Sequence, residues 1–251
     1  MIRALLAPNP GPFTLDGTRS YLLGDRAVLD PGPPMEEHVA AILEHAPGLD
    51  TILLTHRHDD HAGAVPMLKD KTGATVIAPE GMTESWIDRR VADGDHVDLD
   101  EMRLEVLATP GHTAEHVCYL SETGELFTGD TVLGQGTTAI FPPDGDMGAY
   151  FSSLERLLAR APSRIYPGHG PVRHDAVALL DEYLYHRRMR EQEVIESLQE
   201  GLRTTAAMRE RIYPALDDRL VQAAEQQIQA HLDLLMRQGR VRADQGGYAL
   251  S

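Results

Sequence analysis

The run Thr55-His56-Arg57-His58-Asp59-Asp60-His61 sets three imidazoles and a metal-competent carboxylate side by side. His56 and His58 are two apart, so on an extended segment both rings project to the same side. Asp60 and His61 follow at once, where the apolar run 51–54, which reads as a buried strand, gives way to a helix-like run over 62–71. The end of a strand feeding a helix is a common seat for functional loops in α/β folds. A polar turn needs neither three histidines nor partners elsewhere, and here partners recur. They are His112 in Thr109-Pro110-Gly111-His112-Thr113, Asp130 in Phe127-Thr128-Gly129-Asp130-Thr131 and His169 in Tyr166-Pro167-Gly168-His169-Gly170. Each ends a strand-like run (104–108, 125–128 and 164–166) and sits among Gly or Pro, which make sharp turns and let backbone approach a site. Imidazole and carboxylate ligands suit zinc, with manganese or iron as other occupants of the same set.

Through the HxHxDH run, TPGH, TGD and PGHG, the chain resembles the metallo-β-lactamase superfamily over about its first 175 residues. Residue by residue, the resemblance implies one metal held by His56, His58 and His112, a second held by Asp60, His61 and His169, and Asp130 bridging the two. The implied fold is α/β, a four-layer αββα sandwich with the site at one edge of its two sheets. A narrower resemblance, to the lactamase-beta-2-like branch whose animal member is a mitochondrial endoribonuclease, runs nearly end to end. It is carried by Asn9-Pro10-Gly11-Pro12-Phe13-Thr14-Leu15-Asp16-Gly17-Thr18, by Gly134-Gln135-Gly136-Thr137-Thr138, and by His186-Arg187 and Arg190-Glu191-Gln192.

Two divalent ions roughly 3.5–4 Å apart share a water, depress its pKa and yield a bridging hydroxide that attacks a carbonyl carbon or phosphorus. Ligating imidazoles must be neutral, so each needs an acceptor for its second N–H; Asp59 is a candidate. Asp60 is expected both to ligate and to take up the proton released. His116, four residues after His112, is the candidate for orienting a ligand or protonating a leaving group. Asp130 argues against a β-lactamase, because the resemblance implies that a bridging Asp belongs with thioesterases, lactonases and nucleases. The expectation is therefore a hydrolase with two zinc ions (Mn²⁺ or Fe²⁺ as alternatives), acting on an anionic or ester-type substrate. The branch resemblance points to RNA phosphodiesters and single-stranded RNA. The rivals are a carboxylic ester, thioester or lactone hydrolase and, further off, a β-lactamase.

The net charge is −16. Residues 1–174 carry 13 Lys/Arg against 26 Asp/Glu, and residues 175–251 carry 10 against 13. Phosphate contacts by Lys and Arg supply most non-specific affinity for nucleic acid, so this balance weakens an RNA substrate without removing it. With one cysteine the chain has no internal disulfide, which fits a reducing compartment. No apolar run is long enough to span a bilayer, and residues 1–10 are badly built for a signal peptide. The expectation is a cytoplasmic protein with no membrane partner. Cys118, in a strand-like run, is expected to be a buried core residue.

The elements that must position the ligands follow from periodicity. Strands are expected at 18–23, 26–29, 51–54, 75–78, 102–108, 117–121 and 125–128, and helices at 35–45 and 147–160. Residues 1–174 form the expected catalytic domain and 175–251 a C-terminal winged-helix-like domain. The latter comprises a long helix over 175–200, helices over 205–213 and 219–238, and a hairpin over 240–250. The segment of the last helix holds Asp217, Asp218, Glu225 and Asp233 against Arg219 and Arg237, so DNA reading is not expected. His186, Arg187 and Arg190 share one face of the long helix, placed to dock on the catalytic domain or to meet an anionic substrate.

Overall fold

The computed structural model describes residues 1–100 and 102–251. Its chain runs β1 (Ile2–Leu6), β2 (Arg19–Leu23), β3 (Ala27–Leu29), α1 (Glu36–His45), β4 (Thr51–Leu53), α2 (Asp59–Ala62), α3 (Val65–Thr72), β5 (Thr75–Pro79), β6 (Arg89–Val91), β7 (His96–Leu99), β8 (Met102–Ala108), β9 (Val117–Ser121), β10 (Glu125–Gly129), α4 (Met147–Ala159) and β11 (Arg164–Pro167). It continues with α5 (Ala176–Gln199), α6 (Thr205–Ile212), a 3₁₀ turn at Asp218–Leu220, α7 (Val221–Arg237), β12 (Val241–Asp244) and β13 (Gly247–Leu250). The strands β1 to β6 form one sheet in sequence order, and β11-β10-β9-β8-β7 form a second. The strands β1, β6 and β7 escape sequence expectation; in β6 and β7 the residues are few and largely polar or charged, which blurs the alternation.

The period-2 alternation of the strands sorts side chains into layers. Tyr21, Leu23, Ala27, Leu29, Leu53 and Ile77 of the first sheet meet Val97, Leu104, Val106, Val117, Tyr119 and Phe127 of the second. Their neighbours Leu22, Val28, Ile52 and Val76 face outward and are covered by Val39 and Ile42 of α1 and Val65 and Leu68 of α3. On the opposite side Leu107, Cys118, Leu126 and Ile165 are covered by Met147, Tyr150, Leu154 and Leu157 of α4 and Leu179, Leu180 and Tyr183 of α5. This is the four-layer αββα sandwich. Cys118 is fully buried and burial pushes its thiol up to about 12, which makes it a small core residue with an inert sulfur.

The long helix α5 serves two cores. Its first half packs on the second sheet, and its second half contributes Val194, Ile195 and Leu198 to a separate core with Met208, Ile228, Leu232, Leu235 and Val241. That second core holds the winged helix. The helix α7, which occupies the position of a DNA-reading helix, packs against α4 and is tied to it by Arg237–Asp146 at 2.9 Å. Gln227 Oε1 also accepts from the Ile140 backbone N–H at 3.0 Å. Among the described residues, no helix is long and apolar enough to cross a membrane.

His38 on α1 is 2% exposed, and its Nε2 lies 2.8 Å from the Ser20 hydroxyl. Burial pushes its pKa below the ordinary 6.5. The unfolded chain therefore takes up this proton first, and stability is lost as the pH falls below about 6.5. The variant His38→Gln should lose melting temperature less steeply than the wild type between about pH 7 and about pH 5. Equal slopes in scanning calorimetry would show that His38 protonates equally in both states.

Candidate metal centre

Each ligand sits at the carboxyl end of a strand or just beyond it. His56 and His58 lie on the extended stretch after β4, with His58 at the N-cap of α2, and Asp60 and His61 are on α2. His112 follows β8, Asp130 follows β10 and His169 follows β11. The register of the parallel pair β10–β11 slips between Phe127 and Gly129, which turns Asp130 into the site. Gly129 is held at φ 45°, and a Cβ there would lie 2.4 Å from the Thr55 hydroxyl oxygen. A Cβ on Gly168 would lie 2.5 Å from the His61 ring and 2.9 Å from Asp130 Oδ1. Glycine at both positions lets β10, β11 and α2 close to ligand distance.

The structure brings all seven expected ligands together. His56 Nε2, His58 Nδ1 and His112 Nε2 converge, with 3.0 Å between the first two and 3.1 Å between the last two. His61 Nε2 and His169 Nε2 are 3.3 Å apart. Asp130 Oδ1 is 3.3 Å from each of these, and its Oδ2 is 3.6 Å from His112 Nε2. Asp60 Oδ2 is 3.1 Å from His169 Nε2 and 3.7 Å from His61 Nε2. The residues fall into two groups sharing Asp130: His56, His58 and His112 in one, Asp60, His61 and His169 in the other. A four-coordinate ion bound at about 2.0–2.1 Å separates its ligands by about 3.3 Å, and the observed spacings bracket that value. Asp130 Oδ1 is buried and has no hydrogen-bond partner in the protein. Acceptors facing one another around a buried, unpaired carboxylate oxygen fit a pair of metal ions.

The second nitrogens of four of the rings point outward, to fixed acceptors. His61 Nδ1–H donates to Asp30 Oδ2 at 2.9 Å. His56 Nδ1–H donates to the Thr55 hydroxyl at 3.0 Å, and that hydroxyl donates to Asp30 Oδ2 at 2.7 Å. The Thr55 backbone N–H holds Asp30 Oδ1 at 2.8 Å. His112 Nδ1–H donates to the Ala139 carbonyl at 2.7 Å and His169 Nδ1–H to the Gly17 carbonyl at 3.1 Å. Asp30 is thus the anchor of two ligands, one on each metal group, and sequence reasoning missed it. Its signal was Asp30-Pro31-Gly32 at a strand end, and Asp30 adopts φ 49°, a conformation uncommon for non-glycine residues. Asp59, the expected acceptor, is exposed and makes no such bond. It lies in the first turn of α2, with its carbonyl accepting from Gly63 N–H.

His116 is 1% exposed and lies behind the ligands, its ring stacked on His56 at 4.9 Å. Its Nε2 accepts the backbone N–H of Asp130 at 3.2 Å, and its Nδ1 contacts the hydroxyls of Thr109 and Thr131, each at 3.1 Å. Both nitrogens are thus engaged by protein groups, and the Nε2 contact holds the backbone that carries Asp130. Burial holds its pKa well below 6.5, which keeps the Nε2 lone pair free to accept. Arg57, inside the histidine run, points away and pairs with Glu115 at 2.5 Å and Asp144 at 2.6 Å, pinning the loops that flank His112.

Burial would lower the pKa of His169, but the neighbouring carboxylates of Asp130 and Asp60 raise it to about 9. A ligating imidazole must be neutral, so metal loading below that pH displaces a proton, and apparent affinity rises with pH up to about 9. Calorimetric titration at about pH 7.5 in buffers of different ionisation enthalpy should report proton release, and elemental analysis should find two metals per chain; one metal, or no proton release, would contradict the centre described here. Asp30→Asn removes the charge and leaves one acceptor oxygen where Thr55 N–H and His61 Nδ1–H each need one, and should weaken metal binding about 10–100-fold in chelator competition while the fold survives. Unchanged affinity would show that Asp30 serves only the turn.

Comparison with known proteins places this centre. The model of the metallo-beta-lactamase superfamily matches residues 14–169, and that of the beta-lactamase associated winged helix domain matches residues 204–248. A beta-lactamase-like protein 2 homolog of Caenorhabditis elegans is 37% identical over 214 residues, covering 79% of this chain and 71% of its own length. A protein of Aspergillus chevalieri named atrochrysone carboxyl ACP thioesterase is 34% identical over 210 residues, covering 80% of this chain and 67% of its own. A metallo-beta-lactamase family protein of Thermus thermophilus superposes with a TM-score of 0.82 over 100% of this chain and 98% of its own, at 22% identity, a likeness of fold. The protein TTHA1623, solved in a di-iron-bound form, superposes with a TM-score of 0.56 at 28% identity, covering 72% of this chain and 98% of that one. The family match and the assembled ligand cluster agree, and the protein belongs to the metallo-beta-lactamase superfamily as a metal-dependent hydrolase with an appended winged helix.

Proposed function

We propose that the protein hydrolyses thioesters or carboxylic esters with an apolar acyl group. The observation that carries this is the cavity over the metal ligands. Its volume is about 380 Å³, within the range of about 300–1,000 Å³ typical of small-molecule sites. His58, Asp60, His112, Asp130 and His169 form its floor, and its walls are largely apolar. Pro12, Phe13 and Leu15 of the loop after β1 stand on one side, with Phe13 and Phe141 edge to face at 6.0 Å. Tyr213, Leu216, Leu220 and Ala223 of the winged helix close the other side.

An RNA strand suits this cavity poorly. Its phosphates need accessible Lys or Arg, and the arginine in the wall, Arg187, is 2% exposed and donates to the Thr138 carbonyl. Arg190 instead stacks on Tyr213 and pairs with Glu193 at 2.6 Å. The helix face expected to offer cations to a substrate is therefore spent on packing. A thioesterase among the relatives supports the acyl reading.

Two bound metals, with zinc the occupant we favour and iron or manganese as alternatives, would activate water and polarise the substrate carbonyl. The chain's own contribution is placement. Asp30, Thr55, Gly17 and Ala139 fix the rings, His116 fixes Asp130, and the apolar wall holds the acyl group and excludes water. Asp60 is the part-exposed carboxylate on the floor, oriented by His169 at 3.1 Å and suited to receive a proton.

Metal-loaded protein should turn over medium-chain acyl or benzoyl thioesters with a higher kcat/KM than single-stranded RNA. Phe141→Asp should raise KM for the apolar thioester about tenfold or more, since burying an aromatic side chain contributes about 1.5–3 kcal/mol. Faster cleavage of RNA, or indifference of the thioester KM to Phe141, would refute the proposal.

A further inference from the structure

The carbonyl that orients His112 is itself held from the C-terminal part of the chain. His112 Nδ1–H donates to Ala139 at 2.7 Å, and Ala139 lies in the stretch 137–141, which is neither helix nor strand. Side chains, rather than a strand ladder, hold this stretch. On one side Arg187 of α5, 2% exposed, donates to the Thr138 carbonyl. On the other, Gln227 of α7 accepts the Ile140 N–H through Oε1 at 3.0 Å. The Thr138 hydroxyl also donates to the Thr131 carbonyl at 3.1 Å, next to Asp130. By contrast Asp30 and Thr55, which receive the rings of His61 and His56, stand just beyond β3 and β4 of the first sheet.

The two bonds made by Ala139 and Ile140 belong to one peptide group. Its C=O receives the ring N–H of His112, and its N–H donates to Gln227. A peptide group is planar, so fixing the direction of the N–H fixes that of the C=O. Hydrogen bonds in a chain polarise one another, so an amide whose N–H donates is a stronger acceptor at its oxygen. A stronger acceptor behind an imidazole fixes its tautomer and raises its basicity as a ligand. Gln227 therefore acts on His112 both through geometry and through polarisation, from a domain that supplies none of the seven ligands.

We propose that Gln227, with Arg187 securing the adjoining carbonyl, is a positioning residue for the metal held by His56, His58 and His112. The winged helix contributes to the affinity of that metal as well as to the cavity wall. The coupling is reciprocal: bound metal favours the docked α7 by the same factor by which docked α7 favours the metal.

Gln227→Met keeps the length and helix propensity of the side chain but offers Ile140 no strong acceptor. In chelator competition on the full chain it should weaken one of the two metals about three- to tenfold and the other less. The d–d absorption of the cobalt(II)-loaded variant should also differ from that of the wild type. Gln227→Glu, which restores an acceptor oxygen, should recover most of the affinity. General loosening of α7 is tested by Gln229→Ala, which cuts contacts with Tyr248 and Asp233 within the winged helix and should leave both metals unchanged. In the wild type, hydrogen exchange at the Ile140 amide should slow on metal loading; should Gln227→Met fail to fold, this measurement decides alone. Wild-type affinity and cobalt spectrum in Gln227→Met, equal weakening of both metals, no recovery in Gln227→Glu, an equal loss in Gln229→Ala, or an Ile140 amide indifferent to metal would each overturn the proposal.

Discussion

Five imidazole nitrogens and two carboxylates point their lone pairs at one another across a few ångströms, and such an arrangement is repulsive unless cations sit among them. The carboxylates among them already favour positive charge on the rings: Asp130 with Asp30 raises the pKa of His61, and Asp130 with Asp60 that of His169, against the effect of burial. Metals supply positive charge without placing hydrogens between ligands. Much of the local structure resists the repulsion. The carbonyls of Gly17 and Ala139, the hydroxyl of Thr55 and the carboxylate of Asp30 each receive the outward N–H of a ring and stop it rotating away.

The sandwich supplies the rigidity this requires. Loops from both sheets meet at one edge, so a ligand on β4 and one on β10 are related through a packed core of Tyr21, Leu53, Tyr119 and Phe127 rather than through flexible chain. Interiors packed to crystal-like density hold such distances well. Asp30 shows how few groups need to be shared. One carboxylate at the end of β3 organises a ligand from each metal group, and accepts a strained backbone conformation to do so.

The winged helix forms one wall of the cavity over the ligands. Its second helix, which in a DNA reader would lie in a major groove, presents Ala223, Ala224 and Gln227 to the substrate cavity and packs on α4. The long helix α5 is common to both cores, so the two domains do not behave as beads on a linker. The cavity is accordingly lined by residues far apart in the chain, Phe13 on one side and Leu216 and Leu220 on the other.

The sequence by itself placed the candidate ligands at strand ends and outlined the winged helix, whereas the layer order and the division of the ligands between two metals came from the family resemblance. Metal ligands need particular residue types at strand ends, and Gly129 and Gly168 beside Asp130 and His169 mark where backbones must touch; these are local constraints that survive in a linear chain. The alternation of β2 to β5, β8 and β9 likewise records burial on two faces. Short polar strands such as β7 carry no comparable record, because pairing with a neighbour rather than composition makes them strands. Tertiary structure alone decided that Asp30 and not Asp59 anchors His61, since Asp30 arrives from 31 residues away. It also decided that His116 faces backward to hold Asp130, and that Arg187 is sealed inside a helix junction. Which side of a helix or loop faces a site depends on what packs against it, and that is a property of the assembled layers, not of neighbouring residues in the chain.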